Sequence, residues 1–141
     1  MLRGTAYVIK AEVRDPRAKS LTFDAQKTMY GGKKIAAGDV IYVFASENEG
    51  GAGLVAAGVV ASAEPTPRIP ASERQTPRVS IVVRRTGLAA RPLGRAQLQA
   101  FRGRGDGRPE GELDFKLYRQ ATNKIVGISP ETAEFLRGFF V

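Results

Sequence analysis

Apolar and polar residues alternate along "GTAYVIKAEV" (residues 4–13), placing Tyr7, Ile9, Ala11 and Val13 on one face of a predicted half-buried strand. Residues 14–38 lose the alternation and read as a long connection, with room for a helical turn around "DAQKTMY" before "GGKKIAAGD". "GDVIYVFAS" predicts a second strand opened by a Gly38-Asp39 turn, with Tyr42 and Phe44 sharing the core-facing parity. "GLVAAGVVASAE" predicts a third, and its small residues and Gly58 suit a crowded, curved strand. The intervening residues 46–53 make these two an antiparallel hairpin with a long tip.

Four prolines in "PTPRIPASERQTP" (residues 65–77) require an extended loop. "RVSIVVRRTG" predicts a fourth strand with Val79, Ile81 and Val83 on one face, and "LGRAQLQAF" a short helix using Leu93, Ala96, Leu98 and Phe101. The charged, glycine-rich "RGRGDGRPEGE" reads as a loop, and alternation of Leu113, Phe115 and Leu117 in "LDFKLYRQ" as a fifth strand. A C-terminal helix follows from Ser129 as cap, Pro130 at the first helical position, Glu131, and a stripe of Ala133, Leu136 and Phe140. The sum is a mixed α+β fold, mainly β: a small, strongly curved sheet closing on itself, with short helices at its ends.

The 141 residues fit a single domain, 1–141, and 43% apolar content lets it fold around its own core. No apolar run approaches the roughly 20 residues of a membrane helix. Lys10 and Glu12 interrupt the first apolar stretch, as in a strand and unlike a signal peptide, so the expectation is a cytoplasmic protein with no membrane partner. Without Cys there is no disulfide or thiol chemistry, and without His there is no imidazole acid–base catalysis. Lacking both, the chain is expected to carry no metal and no cofactor.

Charge changes the picture more. Residues 68–108 hold ten arginines, no lysine, and only Glu73 and Asp106 as acids, so this stretch carries the whole excess of +8. The guanidinium fork matches phosphate oxygens, which points to a polyanion partner. The plainer reading is a solvated surface that uses arginine for lysine.

"GGKKIAAGDVIYVFASENEGGAGLVAAGVVASAEP" resembles the central hairpin of the PUA-like superfamily, especially its EVE and ASCH branches. The shared features are a basic lead-in, a "GD" before a strand, a glycine-bearing tip and a return strand of the type "G..A.G.V". The tail "YRQATNKIVGISPETAEFL" is also similar to EVE-like ends. The resemblance spans residues 30–65 and 113–137 and implies a small PUA-like pseudobarrel with short helices. It implies binding of RNA or DNA, with one modified base inserted beside the hairpin. The chain departs from the pattern in having no Trp, so a tryptophan cage for methylated bases is not expected.

A flipped base is read along its hydrogen-bonding edge and sandwiched by flat side chains. Ser46, Glu47 and Asn48 supply donors and acceptors, Gly50 and Gly51 allow close backbone approach, and Lys33 and Lys34 bring positive charge. Tyr30, in a loop beside "GGKK", is a candidate stacking residue, and Gln120 a candidate base contact. Arg84, Arg85, Arg91, Arg119 and Lys124 are candidate phosphate contacts. Against each stands the commoner role of such residues, a solvated loop tip or a capped turn. An enzyme is the alternative: the ASCH resemblance implies a hydrolase acting on a modified nucleoside or RNA, with Lys33, Glu47 and Thr28 together. No P-loop or nucleophile elbow supports catalysis.

Overall fold

The computed structural model describes residues 6–67, 77–102, 107–119 and 123–140. Six strands, β1 (Ala6–Ala11), β2 (Ser20–Met29), β3 (Val40–Ala45), β4 (Gly53–Pro65), β5 (Arg78–Leu88) and β6 (Lys124–Ile128), close in the order β1-β3-β4-β5-β2-β6. The helices are α1 (Arg95–Leu98), α2 (Pro109–Leu113), which runs into a π-helical turn at Asp114–Tyr118, and α3 (Pro130–Arg137). This is the closed, mainly β pseudobarrel with short helices that the patterning and the resemblance both implied.

Two apolar layers explain the strand sequences. Tyr7, Ile9, Phe23, Ile41, Val43, Val60, Ile81, Val83 and Ile125 fill the barrel interior. Val8, Tyr42, Phe44 and Val126, of opposite parity, face outward and are covered by Leu98, Leu113, Leu117 and Leu136 of the helical segments. β1 is therefore buried along both faces rather than half-buried. It lies parallel to β3 and antiparallel to β6, so the ends of β1 and β3 and the start of β6 meet at one rim.

The hairpin β3–β4, β5 and α3 fall where expected, with Ser129 Oγ accepting the Thr132 amide at 3.1 Å. At Gly58 a Cβ would come within 2.5 Å of Val83 Cγ1, the crowding anticipated there. Four segments differ, one of them Lys124–Ile128, which forms β6 where no strand was expected. The connection 14–38 contains β2, whose alternation is broken by a bulge between Phe23 and Gln26, with Ala25 at φ 48°. "LDFKLYRQ" is helical: Leu113 and Leu117, one turn apart, are buried, while Phe115 stands 46% exposed. In "RGRGDGRPEGE", Pro109 starts α2, whereas residues 103–106 lie outside the described residues. Most of the proline-rich loop, 68–76, also lies outside them.

Candidate nucleic-acid interface

Strand register builds a polar cluster at the rim. Lys10 of β1 pairs with Phe44 on one side and Lys124 on the other. Ser46 follows Phe44 with the same parity, so the three polar groups share the outward, helix-covered face. All are buried: Lys10 and Ser46 are 1% exposed and Lys124 is 0%. The Lys10 ammonium donates to the Leu117 carbonyl at 2.6 Å and lies 4.7 Å from the centre of the Tyr118 ring.

Burying two amines side by side disfavours their charge. Burial, then the neighbouring Lys10, pulls Lys124 down to about 8. Lys10 is also lowered, by burial and then Arg95, with Glu47 and Glu49 opposing. Burial, then the nearby Glu47 carboxylate, raises the Tyr118 hydroxyl, which nevertheless makes no well-formed hydrogen bond. Among the described residues the Ser46 and Tyr118 hydroxyls and Asp114 Oδ1 are buried without a hydrogen-bond partner. Such groups are uncommon in folded proteins and call for an explanation.

The acidic tip acts as a latch. Residues Glu47–Glu49 form a 3₁₀ turn ended by Gly50 at φ 86°. Glu47 accepts the Arg95 amide through both oxygens, at 3.1 and 3.4 Å, and Asn48 Oδ1 accepts Arg95 Nη2 at 3.2 Å. Glu49 accepts from Asn123 Nδ2 at 2.5 Å. The hairpin is thus fastened to α1 and to the lead into β6. Gly51 is needed for packing, since a Cβ there would sit 2.5 Å from that of Ala45.

Beside the latch lies an open groove of about 350 Å³, lined by Pro16 and Arg17, by Ala52, Leu54 and Val55, and by Leu88 to Pro92. Its two charged residues are Arg17 and Arg91. Concavity is therefore present next to the hairpin, but Glu47 and Asn48 turn toward Arg95.

The expected site residues divide accordingly. Ser46 joins the buried cluster, and Glu47, Asn48, Gly50 and Gly51 shape the latch. Lys124, expected at phosphate, is fully buried. Lys33 and Lys34 are exposed on a 3₁₀ turn, Gly32–Lys34, seated against β2 and β6. Tyr30 is 38% exposed with its ring 6.0 Å from Phe115. Gln120 lies outside the described residues. Arg84 is exposed, whereas Arg85 donates to the Ala18 and Arg17 carbonyls at 3.0 and 3.1 Å. Arg91 donates to Gly138 O at 2.8 Å and stacks 4.4 Å over Phe139, and Arg119 is exposed, 5.8 Å from the Phe115 ring. Thr28 is buried and donates to Pro77 O at 2.8 Å. Lys10, Arg95 and Phe115 escaped the sequence reading, although a lysine inside "YVIKAEV" was a usable signal.

No protein-family profile and no curated protein sequence matches the chain. Solved structures do. Human THYN1 protein in complex with 5-methylcytosine-containing DNA aligns with a TM-score of 0.64 at 14% identity, over 96% of each chain. The DUF55 domain of human thymocyte nuclear protein 1 gives 0.64 at 14%, over 94% of this chain and 96% of that one. A hypothetical protein from Leishmania major gives 0.61 at 16%, over 96% and 94%. At these identities the likeness establishes the fold alone, a closed, mainly β barrel with short helices.

Proposed function

We propose that this protein binds nucleic acid and holds a single modified base at the β1–β3–β6 rim. One observation carries the reading: two buried amines and two buried hydroxyls, the hydroxyls without hydrogen-bond partners, are gathered where the hairpin latch, the Asp114–Tyr118 turn and the start of β6 meet. Amines and hydroxyls in low dielectric reward a ligand edge rich in acceptors, such as the carbonyl oxygen and ring nitrogen of a pyrimidine. Tyr118 offers a ring face, and Arg95, 5.6 Å from that ring, supplies charge above it. Arg17 and Arg91 on the groove offer positive charge to the flanking backbone. The THYN1 complex with 5-methylcytosine DNA, on the same fold, supports a modified DNA base as the first candidate. RNA remains within the same chemistry. The hydrolase reading draws on Glu47, whose carboxylate here accepts the Arg95 amide and fastens the hairpin to α1.

The test is fluorescence anisotropy with labelled duplexes that differ by one 5-methylcytosine, alongside matched RNA and a panel of other modified bases. At least one modified base is expected to bind about tenfold or more tightly than its plain counterpart, with the preference lost in Ser46→Ala and Lys124→Met. Equal affinity for every modified and plain oligonucleotide would overturn the reading.

A further inference from the structure

On the far side of the Asp114–Tyr118 turn from the buried cluster, two aromatic rings stand out of the fold. Phe115 is 46% exposed and Tyr30 38%, their centroids 6.0 Å apart and planes inclined at 59°. Lys116 Nζ is 5.1 Å from the Tyr30 ring and the Arg119 guanidinium 5.8 Å from the Phe115 ring. Met29, 37% exposed, precedes Tyr30.

Both rings are displayed by unusual backbone. Tyr30 has φ 51°, the left-handed region that a bulky side chain rarely occupies. Its carbonyl accepts the Gly127 amide at 3.1 Å, and a Cβ on Gly127 would lie 2.7 Å from that carbonyl, so the neighbouring strand is cut to fit the bend. Phe115 sits on a π-helical turn, a form frequent at functional sites. The same turn sends Leu117 and Tyr118 inward, 0% and 9% exposed. Asn or Gly at position 30 would relieve the strain, and a polar residue at 115 would remove exposed apolar area.

We infer that Tyr30 and Phe115 form a stacking platform for an unpaired base of single-stranded nucleic acid, with Arg119 meeting the adjoining phosphate. Exposed rings accompanied by cations are the chemistry by which proteins hold single strands without reading their sequence. Charge complementarity selects this occupant over an apolar protein surface, because the exposed Arg119 lies against the Phe115 ring and the chain carries +8 overall, while Lys116 beside Tyr30 is paired with Glu112. The platform deepens the nucleic-acid reading and rests on it, but not on which base the rim cluster takes. A strand whose base has left the duplex needs support for its unstacked neighbour, and the Asp114–Tyr118 turn joins both places.

Two substitutions test it, Tyr30→Asn and Phe115→Ala, assayed by anisotropy with an unmodified labelled single strand and with the modified duplex preferred at the rim. Tyr30→Asn removes the ring while easing the backbone, so its thermal midpoint should match or exceed wild type. Its single-strand affinity should still fall about tenfold, and Phe115→Ala should do the same. Loss of affinity without loss of stability separates stacking from a structural role. Single-strand binding unchanged in both variants would overturn the platform alone. So would a wild type that binds the modified duplex but no single strand. A wild type that binds neither would overturn the rim reading as well, and self-association abolished by the same variants would assign the patch to a second copy of the chain instead.

Discussion

An ammonium group in an apolar layer is held there against both burial and its neighbour. Lys124 is the plainest case, lowered to about 8 by burial and then Lys10. Between about pH 8 and the ordinary lysine value of 10.5, the unfolded chain binds a proton that the folded chain does not, so unfolding free energy rises with pH. Tyr118, Tyr42 and Tyr7 act the other way: burial raises all three above 10.0, so above that pH the unfolded chain releases protons that the folded one retains. Stability measured by chemical denaturation should therefore climb from pH 8, peak near pH 10 and fall beyond it. Lys124→Met should flatten the climb and raise stability at pH 7, because removing a buried charge beside a like charge leaves apolar packing. A wild-type profile flat from pH 8 to 10 would count against a buried, depressed Lys124. Neither lysine was read as buried in the sequence. Lys124 ends the polar run "YRQATNK", and Lys10 seemed to mark a solvent face because β1 was expected to have one. A strand covered on both sides carries no alternation to read.

Between elements, one carboxylate does the joining. Glu112 of α2 accepts the Ser129 amide at 3.1 Å, the Ser129 hydroxyl at 2.7 Å, the Thr132 hydroxyl, and the Lys116 ammonium at 2.7 Å. Lys116 in turn donates to Gly127 O at 2.7 Å. The network seats the start of α3 on α2 and fixes the turn that carries Phe115 and Tyr118. Burial alone would raise Glu112, but hydrogen bonds from Lys116, Thr132 and Ser129 bring it below the usual 4.5. Its contribution is present above that pH and fades as pH falls through the lowered value, where the folded state finally protonates. Glu112→Gln should cost about 1–3 kcal/mol at pH 7 and less in acid, whereas Ser129→Ala should cost about 1 kcal/mol. Urea denaturation at pH 7 and 3 separates them, and a Glu112→Gln loss equal at both pH values would remove the carboxylate's charge from the account. The cap itself was legible, since "SPET" is a local signal. Its partner Glu112 was not, lying 17 residues away in a stretch read as loop. β2 and the Asp114–Tyr118 turn were missed for related reasons: a bulge at Ala25 breaks the two-residue period, and Leu113 and Leu117 satisfy both strand and helix spacing.

At the scale of the whole chain, closure of a curved sheet was readable from the succession of short strands and the small residues of β4, although β2 and β6 were missed. Its order was not, because the parallel pairs β1–β3 and β2–β6 join segments whose sequences carry no mutual register. The arginine-rich stretch also changed meaning on folding. Arg78 donates to Ala25 O, Arg85 to Ala18 and Arg17, Arg91 to Gly138, and Arg95 to Asn48, so these guanidinium groups tie connections to the barrel. A fork with five donors can anchor a carbonyl and still present charge outward, which lysine cannot match. Among the described residues Arg17, Arg84, Arg91 and Arg119 are exposed. Only those facing the bound strand release counterions, so affinity should fall with salt at a log–log slope of about −2 to −4, well short of what +8 would give if every charge took part. Arg84→Glu and Arg119→Glu, both at exposed positions, should each weaken every oligonucleotide alike and bring the slope nearer zero by about one. Should affinity prove independent of salt between 50 and 300 mM (about a sixfold range), the phosphate contacts fall, and with them the need for a basic surface around the rim.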